Sequence, residues 1–287
     1  MTPEAPTELP EAPAPPPAGV SVRAVLREAR ALFAANPAEI TKPLAVVQLP
    51  LAILGAVIPW VLYQTTYSGE QDIFNAQALV DGPRGLLFAF TLVFLVWGMF
   101  LLVGVGASGL AANSVLRGVH RTLPEYLDPP FTKLGGLFLL GMVLIGLYVV
   151  ALIVSVTVVL PFVVAWVMLR LFAMFHFYLV DDLPPGAAMR ASWALLRGNV
   201  LRLIAVLAGS LPIVLGVMFV AFVALIIVSI PFTIAGSGRN VELAASATGT
   251  VIWAMLMVPA VAYVATVLTV FFETLKGRTN GRIDARI

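Results

Sequence analysis

A single charged residue interrupts the longest apolar part of this sequence. Arg170 is the only Asp, Glu, Lys or Arg within residues 134–180, and Trp166 precedes it by one helical turn. A guanidinium offers five N–H donors in a planar fork that matches the oxygens of a phosphate or a carboxylate. We therefore predict that Arg170 and Trp166 bind a lipid phosphate or another anionic ligand, with His176 and Glu273 as further candidates.

The alternative for Arg170 is a structural role. Its guanidinium can pair with Glu273, or it can bond backbone carbonyls that a proline frees in a helix. The prolines concerned are Pro161, Pro212 and Pro231. Arg170 precedes Asp181 by 11 residues, which is about 16 Å along a helix and predicts a position near the centre of a bilayer. A charge at that depth costs at least about 2.5 kcal/mol, so in either role the side chain is expected to point into the helix bundle.

The remaining polar residues form no catalytic or metal-binding pattern. There is no cysteine, and the two histidines, His120 and His176, lie far apart in the chain, so a metal site would depend mostly on carboxylates. Serine and threonine in the apolar segments have no histidine or lysine base nearby. Asp181 and Asp182 are expected to cap the following helix and to pair with Arg190. We predict that the protein is not an enzyme and that it binds no cofactor and no metal.

The composition indicates a multi-pass membrane protein. Of 287 residues, 60% are hydrophobic and 11% are charged, and the mean hydropathy is +1.00, whereas a soluble domain carries about 25% charged residues. Five charge-free runs exceed the roughly 20 residues that a spanning helix needs. They are 43–69, 85–116, 134–169, 203–238 and 243–272. The net charge of +2, without a cluster of basic and aromatic residues, predicts no nucleic-acid partner.

We predict an all-α membrane protein with six transmembrane helices arranged in three hairpins. The apolar segment 134–180 is too long for one span, because a helix of that length would measure about 70 Å against a hydrocarbon core of about 30 Å. Pro161 lies near its middle and divides it into two spans. The predicted spans are 43–64, 86–112, 134–157, 160–180, 203–228 and 246–271.

The distribution of basic residues predicts the orientation of these helices. With both termini in the cytoplasm, 14 of the 17 Lys and Arg residues lie on that side, and only Arg84 and Arg239 lie outside. This asymmetry follows the positive-inside rule, so we expect a bacterial inner-membrane protein with cytoplasmic termini. Residues 1–20 are expected to form a disordered, proline-rich tail, residues 21–273 the six-helix domain, and residues 274–287 a basic cytoplasmic tail.

Two amphipathic helices are predicted at the membrane interface on the cytoplasmic side, over 21–36 and 185–199, although packing on the end of the bundle is an alternative for the first. Ser21 can cap the first helix, and Pro185 suits the first turn of the second. Both share the spacing Ala-x-x-Arg-x-x-x-Ala-Leu-x-x-x-Asn, from Ala24 and from Ala187. This indicates an internal repeat of interfacial helix plus hairpin. The predicted interfacial residues are Arg27, Arg190, Trp193 and Arg197.

Three short stretches carry a resemblance to a known family. They are LREARALFAANP at 26–37, AAMRASWALLRGN at 187–199, and the end of the last span, from Pro259 through FFETLKGR at 271–278. They resemble a bacterial superfamily of integral membrane proteins that includes the YciC-like proteins and the membrane domain attached to some glycerophosphodiester phosphodiesterases. In the family's Pro…Tyr-Tyr-Asp-Leu-Arg-x-Arg ending, this chain has Phe for Tyr and Glu273 for Asp, and Thr274 looks inserted. The resemblance implies a six-helix membrane domain. It does not imply catalysis, because the phosphodiesterase chemistry of that family lies in a separate soluble domain.

The expected function is that of a lipid- or protein-binding scaffold or accessory domain. Its expected partners are membrane lipids and other membrane proteins. The alternative is a transporter or permease for an amphiphilic or anionic solute, with Arg170 in the pathway, because an ionisable residue within a membrane span marks a functional site by default.

Overall fold

The computed structural model describes residues 21–66, 84–153, 159–234 and 239–284. Within these ranges every regular element is a helix, which confirms the predicted all-α membrane fold. The helices are α1 (Val22–Ala35), α2 (Pro37–Thr66), α3 (Arg84–Leu116), α4 (Leu123–Thr132), α5 (Leu134–Ile153), α6 (Val159–Leu171), α7 (Met174–Leu179), α8 (Pro185–Leu195), α9 (Val200–Ile234) and α10 (Arg239–Asp284). The predicted tail 1–20 and the turn near residue 158 lie outside the described residues.

Five helical segments are long and apolar enough to cross a membrane. They are Pro37–Val57 in α2, Trp97–Leu116 in α3, Phe162–Leu179 across α6 and α7, Val200–Phe232 in α9 and Ala244–Gly277 in α10. A sixth span arises if α4 and α5, which meet at a bend of 64°, are counted together. The chain is therefore a multi-pass membrane protein with five or six candidate spans in the described residues.

Several boundaries differ from the predicted ones. The first long helix begins at Pro37 because proline is accommodated in a first turn, and α10 continues to Asp284, so most of the predicted tail is helical. The predicted loop 113–133 contains α4, which starts with a capping box between Thr122 and Glu125. The predicted span 160–180 is broken into α6 and α7 after Leu171.

The helix α10 forms the centre of the bundle, since it packs against α1, α2, α3 and α9. Its buried residues, such as Val267 and Phe271, share one core with side chains of α5, α7, α8 and α9. The outer face of α9 is apolar, and Leu201 and Phe219 are 71% and 67% exposed. Such a face is compatible with lipid, where apolar side chains and a fully hydrogen-bonded helical backbone are both required.

Small residues bring α2 and α3 into close contact. A Cβ atom added to Gly104 would lie 2.7 Å from Cδ1 of Leu44, so a larger residue at this crossing would require the Leu44 side chain to shift. One turn further on, the buried Ser108 Oγ donates a hydrogen bond of 2.7 Å to the backbone oxygen of Ile40. Small side chains and interhelical hydrogen bonds are the usual means of helix association in membranes.

The two predicted amphipathic helices are present as α1 and α8. Ser21 Oγ accepts a hydrogen bond from the backbone N–H of Ala24, as predicted, and Pro185 is the first residue of α8. α1 packs on α9 and α10, whereas α8 packs on α6 and α7. Each buries its small side chains, among them Ala29 in α1 and Ser192 in α8, both fully buried.

The asparagines that directly precede the next long helices, Asn36 before α2 and Asn199 before α9, make equivalent hydrogen bonds. The side-chain Nδ2 of Asn36 donates to the oxygen of Leu32 at 3.3 Å, and that of Asn199 donates to the oxygen of Leu195 at 3.1 Å. The backbone oxygen of each asparagine also accepts a hydrogen bond from the N–H of the residue four positions later, at the start of the next long helix. These matched bonds support the predicted repeat, and the superposition of its two units stays a prediction.

Candidate functional site

Arg170 lies where α6 meets α8. Its guanidinium carbon Cζ is 5.7 Å from the ring centroid of Trp166 and 4.6 Å from that of Trp193. The two tryptophans are 41% and 40% exposed, so this group lies at the periphery of the bundle and not in its interior as predicted. Cation–π contacts of this kind orient a guanidinium without using its N–H donors. We refer to Trp166, Arg170 and Trp193 as the Arg170 site.

The donors of Arg170 have no protein partner among the described residues. Its Nε is buried and makes no hydrogen bond. The predicted pairing with Glu273 is wrong, because both oxygens of that carboxylate are occupied by other groups. Leaving a buried donor without an acceptor costs free energy, so Nε of Arg170 is an unsatisfied polar atom in this fold.

The end of α6 is held to α8 through the backbone of Arg170. Ser192 Oγ donates a hydrogen bond of 2.8 Å to the backbone oxygen of Arg170. The last carbonyl groups of a helix have no partner within that helix, so Ser192 satisfies one of them. This bond also places Trp193, the next residue, over the guanidinium. The sequence analysis identified Trp193 as interfacial, and the spacing alone carried no signal for Ser192.

Glu273 is the centre of a second polar group that joins three helices. Its carboxylate accepts hydrogen bonds from Nη2 of Arg117, the residue after α3, at 3.3 Å, from His176 Nε2 of α7 at 2.9 Å and from Lys276 Nζ of α10 at 2.7 Å. Lys276 Nζ also lies 2.7 Å from Asp181 Oδ2. We call these five residues the Glu273 cluster. Its function in the fold is to connect α3, α7 and α10 at one end of the bundle.

The acidic pair after α7 does not contact α8 in the predicted way. Asp181 pairs with Lys276, and Asp182 pairs with Lys133 at 2.5 Å, so the predicted pairing with Arg190 is wrong. The N-cap of α8 is Pro184, without a side-chain cap bond. A positive φ of 57° at Asp182 turns the chain here. The hydrogen bond and the charge of Lys133 lower the pKa of Asp182.

Exposed arginines lie on both amphipathic helices, in the connection that follows α8, and on the first turn of α9. They are Arg23, Arg27, Arg30, Arg190, Arg197 and Arg202. Glu28 is the only acidic residue in 22–35 and 185–202. The predicted interfacial residues Arg27, Arg190, Trp193 and Arg197 are all exposed, so both segments are strongly basic. We call the six arginines the arginine belt.

A cavity of ≈ 280 Å³ lies between α3, α5, α7 and α10. Its wall is almost wholly apolar and includes Val105, Leu144 and Leu268, and its polar side chains are His176 and Thr269. His176 therefore belongs to both the cavity wall and the Glu273 cluster. Arg170 does not line this cavity, so the four predicted binding residues do not form one site: Trp166 and Arg170 lie together, and His176 and Glu273 lie together.

In the part of the chain that the structure describes, no three His, Asp or Glu residues lie close enough together to hold a metal ion. No protein-family model, no curated protein and no solved structure matches the chain. Function must therefore be inferred from the Arg170 site, the arginine belt, the Glu273 cluster and the cavity.

Proposed function

We propose that this protein is a lipid-binding accessory domain, or scaffold, of a bacterial inner membrane, and that it holds anionic phospholipids along the arginine belt. One observation carries the proposal: the Arg170 guanidinium is fixed between two indole rings and has no hydrogen-bond acceptor among the described residues. A phosphate group would supply the missing acceptors, since its oxygens match the guanidinium fork.

The charges around the site agree with an anionic partner. Six exposed arginines and one glutamate lie on α1, on α8, in the connection after it and on the first turn of α9. Basic amphipathic helices bind the headgroup region of anionic membranes through this combination of charge and apolar contact. Exposed tryptophans, such as Trp166 and Trp193, are typical of the same headgroup level.

The proposal also accounts for the position of an arginine in an apolar segment. The depth expected from the sequence assumed that the membrane surface lies near Asp181. Because Ser192 of α8 is hydrogen-bonded to the backbone of Arg170, these two residues lie at the same depth. On this proposal α8 and the end of α6 lie at the interface, α7 lies beyond the hydrocarbon core, and the stretch Phe162–Leu179 is not a complete span. The guanidinium then avoids the cost of burial at the bilayer centre.

The orientation and the family relationship belong to the same proposal. The asymmetry of Lys and Arg supports cytoplasmic termini, which places the arginine belt against the cytoplasmic leaflet. The three quoted stretches support a relationship to the YciC-like superfamily. The transport alternative has no comparable support, because Arg170 does not line the cavity between α3, α5, α7 and α10.

The proposal is tested by counting phospholipids that stay bound to the purified full-length protein. We would incubate it with phosphatidylglycerol or phosphatidylcholine in detergent micelles and measure bound lipid by native mass spectrometry. Wild type should retain phosphatidylglycerol preferentially. Arg170→Gln should weaken this binding about tenfold, since a charged hydrogen bond contributes about 1.5–3 kcal/mol, and Arg170→Lys should recover only part of it.

Arg121→Gln is the matched control, because Arg121 is exposed but lies in the connection between α3 and α4, away from the arginine belt. Its binding of phosphatidylglycerol should equal that of wild type. Equal loss in Arg121→Gln and Arg170→Gln, or no loss in either, would contradict a specific role for Arg170.

A further inference from the structure

We infer that the cavity between α3, α5, α7 and α10 is a binding site for the hydrocarbon chain of an uncharged single-chain lipid, of the long-chain alcohol class. This site is separate from the Arg170 site, because neither Trp166, Arg170 nor Trp193 lines it. The inference therefore does not depend on the binding of anionic phospholipid.

The size and the wall of the cavity match a single chain. Its volume of ≈ 280 Å³ holds about nine groups of the size of a water molecule or a methylene, at roughly 30 Å³ each. The wall consists of aliphatic and aromatic side chains from four helices, with His176 and Thr269 as its polar side chains. An apolar space of this kind stays dry and accepts apolar ligands.

The two glycines of α3 show how the space is formed. A Cβ atom on Gly106 would lie 2.3 Å from Cδ1 of Leu179, whereas a Cβ on Gly109 would lie 3.7 Å from Thr269 Oγ1. α7 therefore packs closely against α3 at Gly106, whereas the cavity wall near Gly109 leaves open space. The break between α6 and α7 adds Phe172, which is 36% exposed, to the cavity wall. This break places a wall of the cavity at the surface of the bundle, where a chain from the bilayer can enter.

The charges next to the cavity select an uncharged ligand. Each carboxylate of the Glu273 cluster already has a basic partner: Glu273 accepts from Arg117 and Lys276, and Asp181 pairs with Lys276. His176 is also bonded to Glu273. Among the described residues that line the cavity there is therefore no unpaired cation to neutralise a ligand carboxylate. A carboxylate would have to be desolvated there without compensation. A hydroxyl group needs no counter-ion and can bond an imidazole or a threonine side chain.

The experiment uses the full-length protein in lipid nanodiscs and a long-chain alcohol of about ten carbons that carries a photoreactive diazirine. After illumination, labelled peptides are mapped by mass spectrometry. Labelling is expected in segments 102–109, 172–180 and 265–272, and excess unlabelled alcohol should abolish it there. The corresponding fatty acid, which is charged at neutral pH, should label these segments at least fivefold less.

Two variants fill the cavity from opposite walls, and one control makes the same change elsewhere. Ala265→Leu fills it from α10 and Leu144→Phe fills it from α5, and each should reduce the labelling at least fivefold. Ala205→Leu adds the same atoms as Ala265→Leu on the exposed face of α9 and should leave the labelling unchanged. Neither filling variant is expected to alter the binding of phosphatidylglycerol.

Three results would overturn the inference. The first is labelling of wild type that excess alcohol does not displace, which is independent of whether any variant folds. The second is labelling restricted to lipid-facing residues of α9. The third is stronger labelling by the fatty acid than by the alcohol, which would mean that the ligand is anionic.

Discussion

His176 of α7 and Glu273 of α10 are joined by a hydrogen bond of 2.9 Å between Nε2 and Oε1. Their side chains are 7% and 18% exposed, so the bond lies largely away from solvent. A carboxylate only accepts hydrogen bonds, hence Nε2 carries the proton. The bond fixes the short helix α7, which follows the break in the fourth predicted span, to the central helix of the bundle.

We expect Glu273→Gln to destabilise the protein by about 2 kcal/mol, because Lys276 and Arg117 lose the charge that they contact in a partly buried position. The measurement is thermal unfolding of the purified protein in detergent micelles, followed by circular dichroism. Glu28→Gln changes an exposed glutamate of α1 in the same way and should stay within about 0.5 kcal/mol of wild type. Equal stability of the two variants would show that the cluster does not support the fold.

The predicted repeat implies that replacing either of two distant asparagines lowers the free energy of unfolding by the same amount. Asn36→Ala and Asn199→Ala each remove a side-chain hydrogen bond to the carbonyl four residues earlier, and each should lower the free energy of unfolding by about 1 kcal/mol. Their effects should add in the double variant, because the sites lie in different units. A large cost at one position and none at the other would argue against equivalent roles.

Gly136 should be intolerant of a side chain. A Cβ atom there would lie 2.0 Å from the Tyr178 hydroxyl oxygen and 2.4 Å from the ring carbon that carries it, so Gly136→Ala forces the ring and α7 to move. We expect a loss of about 1–3 kcal/mol. Gly146→Ala in the same helix meets nothing within 4 Å and should be neutral or stabilising, by up to about 1 kcal/mol. The comparison uses the same thermal unfolding assay, and a Gly136→Ala variant as stable as Gly146→Ala would contradict the close packing.

The pair of Lys133 and Asp182 should contribute a small, pH-dependent stabilisation. Lys133 lowers the pKa of Asp182 in the folded protein, so the contribution is present above the unfolded pKa and is lost as the pH falls through the lower, folded pKa. When the pH is lowered from neutral to below both the folded and the unfolded pKa of Asp182, the melting temperature should fall less for Asp182→Asn than for wild type. Identical falls would mean that the exposed pair has no effect, which is common for surface ion pairs.

The orientation is tested by reporter fusions along the chain. Fusions at residues 125 and 190 should report a cytoplasmic location, and fusions at residues 75 and 240 an outside location, because 14 of the 17 basic residues then lie inside. A cytoplasmic signal at 190 also requires that the segment 134–180 crosses the membrane twice. An outside signal at 190 would leave five spans and place the arginine belt on both sides of the membrane.

The sequence by itself determined the class of protein and most of its helices. Charge-free runs longer than a bilayer requires are a property of consecutive residues, so hydropathy alone predicted a multi-pass helical protein. Capping is equally local, and Ser21 and Pro185 start their helices as predicted. The presence of a charge within an apolar run also singled out Arg170 without any structure.

Only the tertiary structure decided where Arg170 lies and what Glu273 contacts. The bond between His176 and Glu273 joins residues 97 positions apart, and no periodicity within one helix contains that information. The same holds for Trp193, which covers the Arg170 guanidinium because α8 folds back onto the end of α6. Such contacts depend on the packing of helices against each other, through small residues, glycine contacts and a break in one span, and these are properties of helix pairs rather than of a single segment.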